Sequence, residues 1–332
     1  MTISSNIPST SPSDSRPATW ATTNLSAPLA FLKGARPEAP AWFDQALAIT
    51  PERQLLTVQN AHIETLAWGA RGLPGILFMH GNSAHADWYS FIAPLLAKQH
   101  RVMAISFSGM GESQWRDQYS VMQWADEALA AAEFGGLFDS PTKPVFVGHS
   151  FGGFPLMNAT SRYGERLRLA VIADSPIRTR EERAGRLDER PRREFKPHRI
   201  YASADEAIAR FRLLPPQPCN NLYILDYIAR TSLKSVSLGE SGQEGWTWKF
   251  DPCLFRHFKM GRPGADLLQA RCPVAWLNGA RSNLIDDKVR TNIQIYSPSG
   301  SPVIELPDAD HHLMIDQPLA FVEALRGLLS RY

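Results

Sequence analysis

Ser150 lies in Gly148-His149-Ser150-Phe151-Gly152, between the apolar run Val145-Phe146-Val147 and the segment Gly153-Phe154-Pro155-Leu156-Met157. A short β-branched strand, a sharp turn and then a helix would lift the serine hydroxyl above a sheet edge, where it could act as a nucleophile. Glycine on either side leaves room where a Cβ would collide with the strand-to-helix crossing. The pentapeptide alone is common, and two further segments give it chemical meaning. His80-Gly81-Asn82 ends the apolar strand Gly75-Ile76-Leu77-Phe78-Met79, which would turn the backbone N–H of Asn82 toward the serine. That N–H and the one of Phe151 could together hold the negative oxygen of a tetrahedral intermediate. His311, in Asp308-Ala309-Asp310-His311-His312-Leu313-Met314 after the strand Val303-Ile304-Glu305-Leu306, is the candidate base.

Two more motifs follow the same order. Ser108-Gly109-Met110-Gly111-Glu112-Ser113 comes after an apolar strand at 102–105, and His311-His312-Leu313-Met314-Ile315-Asp316-Gln317-Pro318 precedes an amphipathic C-terminal helix. With these the chain resembles the α/β-hydrolases from about residue 41 to 332, apart from its middle. Ser108 stands where the family's R-G-x-G-x-S loop has Arg. The resemblance implies an α/β-hydrolase fold: a mostly parallel central sheet, helices on both faces, and a helical cap inserted after strand six. It also implies cleavage of a carboxylic ester, thioester or lactone through an acyl-enzyme on Ser150, with the chain order Ser, acid, His. No cofactor and no metal are expected. Such motifs specify the fold far better than the substrate.

The acid departs from the commonest family pattern. After strand seven, Pro273-Val274-Ala275-Trp276-Leu277, most members read G-x-x-D, whereas this chain reads Gly279-Ala280-Arg281-Ser282. Strand six, Leu169-Ala170-Val171-Ile172-Ala173, ends in Asp174-Ser175-Pro176. This resembles a branch of small esterases that carry the acid after strand six and read G-x-x-S after strand seven. Asp174 is therefore the expected acid. Asp286 and Asp287 are the alternatives, although both also suit the first turn of a helix. Asp310 is too near His311 in sequence to orient its ring.

The elements that must position these residues alternate along the chain. Residues 1–36, rich in Ser, Thr and Pro, read as a disordered arm. The core is expected at 37–176 and 265–332, with helices at 88–99, 119–138 and 151–163 between the strands. Such alternation argues for a sheet covered on both faces. It stops across 177–264, the expected cap. There Ser203-Ala204-Asp205-Glu206 reads as a capping box opening a helix through Arg212, and a second helix is expected over 221–233. Trp246, Trp248, Phe250 and Phe255 crowd together beyond it. As substrate-contacting residues the sequence suggests His85, Trp246, Trp248 and His312. Aromatics of this size also glue elements together wherever they are buried.

The remaining features read as structural. The 178–199 stretch mixes nine basic with five acidic residues, the pattern of a solvated face. His80 and His149 suit loop fixing and packing. Asp87 and Asp316 suit helix caps. With 332 residues, 44% hydrophobic content and a net charge of +2, the chain can bury a large core and does not suit a nucleic-acid partner. Cys219, Cys253 and Cys272 show no metal spacing. No run is long enough to span a membrane, and no basic residue or apolar block marks a signal peptide before Arg16. A cytoplasmic enzyme acting on a small molecule is the expectation, with a homodimer left open. A carbon–carbon bond hydrolase, a cofactor-free perhydrolase or a silent small-molecule-binding protein could carry the same motifs.

Overall fold

The computed structural model describes residues 24–179, 181–182, 196–238 and 243–332. Eight strands form one sheet: β1 (Glu52–Val58), β2 (Ala61–Trp68), β3 (Gly75–Met79), β4 (Arg101–Ile105), β5 (Val145–His149), β6 (Leu169–Ala173), β9 (Val274–Gly279) and β10 (Val303–Leu306). Their spatial order is β1-β2-β4-β3-β5-β6-β9-β10. The hairpin β1–β2 and the β2–β4 pair are antiparallel, and every later pairing is parallel.

The parallel strands are near-continuous apolar runs because both of their faces are covered. Successive side chains point to opposite faces. Phe78, Val147, Val171 and Leu277 join the core on one side, and Leu77, Phe146, Ile172 and Trp276 the core on the other. The second core is closed by α2 (Val121–Phe134), α3 (Gly153–Tyr163), α6 (Pro263–Leu268) and α7 (Asp287–Tyr296). The first takes in α1 (Ala41–Leu47) and α9 (Pro318–Arg331), the latter following the one-turn α8 (Leu313–Asp316). Because β3, β5, β6, β9 and β10 run parallel, the loops after them all leave on one rim, where sites in open α/β sheets gather.

Three expectations need correction. The arm does not extend to residue 36 as an unstructured segment. Leu29 is 1% exposed within the first core, and Arg230 Nη2 donates to the Gly34 carbonyl at 2.8 Å. One apolar anchor inside a polar, Pro-rich stretch was too little signal to see. Residues 1–23 lie outside the described residues. The helix expected at 88–99 is instead two short 3₁₀ turns, Ala86–Tyr89 and Ala93–Leu95. Trp88, Tyr89, Phe91, Ile92 and Ala93 are all buried, so no polar face remains to set a helical period.

The insertion between β6 and β9 contains more than helices. α4 (Ala204–Ile208) is capped by Ser203, whose Oγ accepts from the Glu206 N–H at 3.1 Å, and it ends short of Arg212. α5 (Leu222–Thr231) follows, then an antiparallel hairpin of β7 (Leu233–Leu238) and β8 (Gln243–Trp248). The alternating Trp246-Thr247-Trp248 was the strand signal. Most of the 178–199 charge run lies outside the described residues. The insertion is tied to the core through the Gly111 N–H to Lys249 carbonyl bond at 2.8 Å and the Tyr119 hydroxyl to Asp251 at 2.8 Å. Among the described residues no helix is long and apolar enough to cross a membrane.

Candidate active site

β5 ends at His149, and Ser150 follows with φ +52°. A non-glycine residue in this left-handed region costs about 1–3 kcal/mol and persists only where its surroundings impose it. The 3₁₀ turn Ser150–Gly152 runs straight into α3 and places the Phe151 N–H at the start of a helical segment. Gly152 is obligatory here, since a Cβ on it would stand 2.4 Å from the Met79 carbonyl oxygen.

Ser150 Oγ lies 2.8 Å from His311 Nε2, and His311 Nδ1 lies 2.7 Å from Asp174 Oδ1. The structure thus brings together the serine, the histidine and the strand-six aspartate. Asp174 is fully buried, with φ +48°. Its Oδ2 accepts from the Gly279 N–H at 2.8 Å, and its Oδ1 also accepts from Ser282 Oγ at 2.6 Å. Asp286 is engaged elsewhere. Its Oδ1 accepts from the Val289 N–H at 2.9 Å as the N-cap of α7, and Oδ2 pairs with Arg178 Nη2 at 2.6 Å.

The loop after β3 lies against the serine. A Cβ on Gly81 would fall 3.2 Å from Ser150 Cβ, tighter than ordinary van der Waals contact, so glycine keeps this approach uncrowded. Asn82 is the next residue. His80 holds the loop from behind: its Nδ1–H donates to the Gly81 carbonyl at 2.7 Å, and its Nε2 accepts from the Phe107 N–H at 3.0 Å. The Phe151 ring packs edge-on to Trp124, Phe154, Phe255 and Phe258.

The four suggested contact residues divide. His85 and Trp248 line a cavity of about 560 Å³, whose wall also holds Asn82, Ser83 and residues of the insertion. Trp246 and His312 are not on its wall. Trp246 exchanges two 2.9 Å backbone bonds with Tyr201 and packs half-buried on the first core. His312 is buried beside His311 and Trp88, with ring centroids 4.8 and 5.7 Å away, and its N–H donates to Gln217 at 2.8 Å. Asp87 caps no helix and pairs with Arg53 at 2.7 Å. Asp316 does not cap α9; its Oδ2 accepts from the Asp310 N–H and from Gln217 and so fixes the loop carrying His311.

Two residues that sequence reading passed over support the site. Ser175 Oγ donates to the Ser150 carbonyl at 2.7 Å and ties the end of β6 to the turn. Ser282 was read only as a missing carboxylate. Their signal was position: each sits at the end of a strand that carries, or in relatives carries, a site residue.

Among the described residues the one group able to hold a metal is His149, His311 and His312, with ligand atoms within 4.8 Å of one another. Hydrogen bonds already occupy both nitrogens of His311, and His149 Nε2–H donates to the His311 carbonyl at 2.9 Å. His149 and His311 are thus joined in a hydrogen-bonded pair.

Burial, helped by His311, pushes His149 down to about 3, and burial, helped by His85 and opposed by the bond to the Gly81 carbonyl, pushes His80 down to about 3. An unfolded histidine takes its proton near 6.5. Between about 6.5 and 3 the unfolded chain therefore binds a proton the fold excludes, and stability falls as pH drops through that window. Burial raises Glu127 to about 7 and Asp316 to about 6, which acts in the opposite sense. A comparison with His149→Gln, whose amide can still donate to His311, isolates one term. From pH 6 to 4 the parent should lose about 1.4 kcal/mol per pH unit more than this variant in urea unfolding. Parallel pH profiles would show that His149 protonates freely in the fold.

The profile of the alpha/beta hydrolase family matches residues 76–324. The chain is 24% identical over 296 residues to Esterase Rv0045c of Mycobacterium tuberculosis, covering 86% of this chain and 93% of that protein. It is 24% identical over 260 residues to the pimeloyl-[acyl-carrier protein] methyl ester esterase of Edwardsiella ictaluri, covering 76% and 92%. Among solved structures, the thioesterase domain from the curacin biosynthetic pathway superposes with a TM-score of 0.65 at 19% identity, over 83% of this chain and 99% of that one. The crystal structure of the mycobacterial esterase gives 0.65 at 19%, over 87% and 97%. A match across most of the chain, on a sheet of this strand order, means that the chain belongs to the alpha/beta hydrolase family.

Proposed function

We propose that the protein is a carboxylic ester hydrolase working through an acyl-enzyme on Ser150. The observation that carries this reading is the unbroken relay Ser150–His311–Asp174, with spacings of 2.8 and 2.7 Å. The two relatives named as esterases lend it support. In this reading His311 Nε2 removes the Ser150 proton as Oγ attacks the carbonyl carbon. Asp174 holds the Nδ1–H tautomer and stabilises the imidazolium. The N–H groups of Asn82 and Phe151 receive the oxyanion, each contributing about 3–4 kcal/mol. His311 then protonates the departing alkoxide. Water, deprotonated by the same imidazole, attacks the acyl group, and the acid leaves with Ser150 restored.

The aspartate-ester chemistry of dehalogenases has no counterpart here, because the turn residue is a serine. Apolar surface on the cavity wall, including Phe211, Trp248 and Phe250, suits a substrate of small to medium size with an apolar body. The test is covalent labelling. A fluorophosphonate probe should modify the protein stoichiometrically, with the adduct on the peptide containing Ser150. A protein that stays unlabelled under conditions that label a control esterase would be a silent binding scaffold.

A further inference from the structure

The cavity wall has a charge pattern that an ester with only apolar parts does not need. Arg210, Arg212 and Lys249 line it together with His85, and no Asp or Glu does. Lys249 has an acidic neighbour outside the wall, Glu112, at 2.6 Å. Among the described residues neither Arg210 nor Arg212 has a carboxylate within 4 Å, although this chain pairs most of its described arginines.

The local sequence explains their placement. After α4 ends at Ile208, Phe211 and Leu213 are buried at 8% and 3% while Arg210 and Arg212 are exposed. Phe211 and Leu213 pack on the first core, and Phe211 reaches the cavity wall along with the exposed Arg210 and Arg212. Lys249 follows the cavity-lining Trp248 directly. Three cations from two separate segments thus converge on one concave surface. A cleft lined by one sign of charge concentrates counter-ions of the other.

The loop next to the serine lines the same cavity. Asn82 and Ser83 line it, and a Cβ placed on the preceding Gly81 would lie 3.2 Å from Ser150 Cβ. Ser150 itself is not on the wall, whereas Asn82, whose N–H the proposed mechanism assigns to the oxyanion, is. A substrate with its ester at Ser150 would lay its remote end under the insertion.

We propose that the natural ester carries an anionic group, a carboxylate or a phosphate, at the end remote from the scissile carbonyl. Arg210, Arg212 and Lys249 receive that group, while Phe211 and Trp248 pack against the chain between. This rests on the esterase reading above and names its substrate class. Guanidinium forks suit both carboxylate and phosphate oxygens, since they can donate two parallel hydrogen bonds to either.

The experiment compares three esters of equal chain length: a neutral alkyl methyl ester, the monomethyl ester of a linear dicarboxylic acid, and a methyl ester ending in phosphate. Turnover of any of them tests the esterase reading, and the ratio between them tests this proposal. The parent should prefer one anionic ester over the neutral one by about tenfold in kcat/KM, at low salt, through KM. The better anion names the headgroup. In the Arg210→Ala/Arg212→Ala double variant the preference should collapse toward unity, and Arg210→Lys/Arg212→Lys should recover part of it. Added salt should erode the preference as well. Binding of the linear dicarboxylate and of the phosphate-terminated acid to the parent, by calorimetry, supplies a readout that needs no turnover; the better ligand should weaken about tenfold in the alanine variant. Equal turnover of anionic and neutral esters by the parent, or a preference or an affinity that survives both alanines, would overturn the proposal.

Discussion

Ser150→Ala is expected to lower ester hydrolysis by about 10⁴-fold or more while leaving the fold unchanged, because members of such a relay act as a unit and the loss of one disables the others. The substitution removes a hydroxyl whose contact in the site is the 2.8 Å bond to His311 Nε2. The bond that holds the turn runs from Ser175 Oγ to the Ser150 main-chain carbonyl, and alanine keeps that carbonyl. Alanine must still adopt φ +52°, so a small loss of stability is expected beside the large loss of activity. The measurement is turnover of a nitrophenyl ester by a variant purified free of host esterase, with thermal unfolding in parallel. A folded variant that retains activity within tenfold of the parent would remove Ser150 from the mechanism.

Asp174→Asn has the second largest expected effect, up to about 10⁴-fold in kcat, the scale of neutralising a triad acid. Two contributions compound. Asparagine has no charge to stabilise the imidazolium, and its amide nitrogen can donate toward His311 Nδ1, which favours the wrong tautomer. Asp174 is fully buried and His311 2% exposed, so the lost charge is only weakly screened by solvent. Asp286→Asn is the internal control. Its side chain caps α7, a place where asparagine serves as well as aspartate, and activity should stay within a few-fold of the parent. Steady-state rates of the two variants side by side decide the matter. A crippled Asp286 variant beside a near-normal Asp174 variant would reassign the acid.

What could be read in the chain followed from how local each signal was. The β5 turn announces itself because strand, serine and helix are contiguous, and the crowding at Gly148 comes from Gly152 and Gly153, only a few residues on. The parallel strands were legible because burial on both faces forces uninterrupted apolar runs such as Gly75–Met79. The 86–95 region was misread for the same reason inverted: a segment buried on all sides carries no period from which to infer a helix. Leu29 was invisible because its partners lie in elements far along the chain. Of the aromatic cluster, Trp248 and Phe250 line the cavity and Trp246 does not, although both tryptophans meet Tyr201 and pack on the first core, a distinction that composition cannot encode. The basic wall was hidden as well, since Arg210 and Lys249 meet only after the hairpin folds back.

The bond from Ser282 to Asp174 bears on how such a site can be inherited. Residue 282 occupies the strand end that holds the acid in most relatives, and here its hydroxyl touches the same carboxylate oxygen that faces His311. The two strand ends therefore reach the same few ångströms of space. A lineage could move its acid from one strand to the other while the imidazole continued to face negative charge in one place, the vacated end staying on as a donor to the newcomer. The address of the acid in the sequence is free to drift; its location beside the histidine is not.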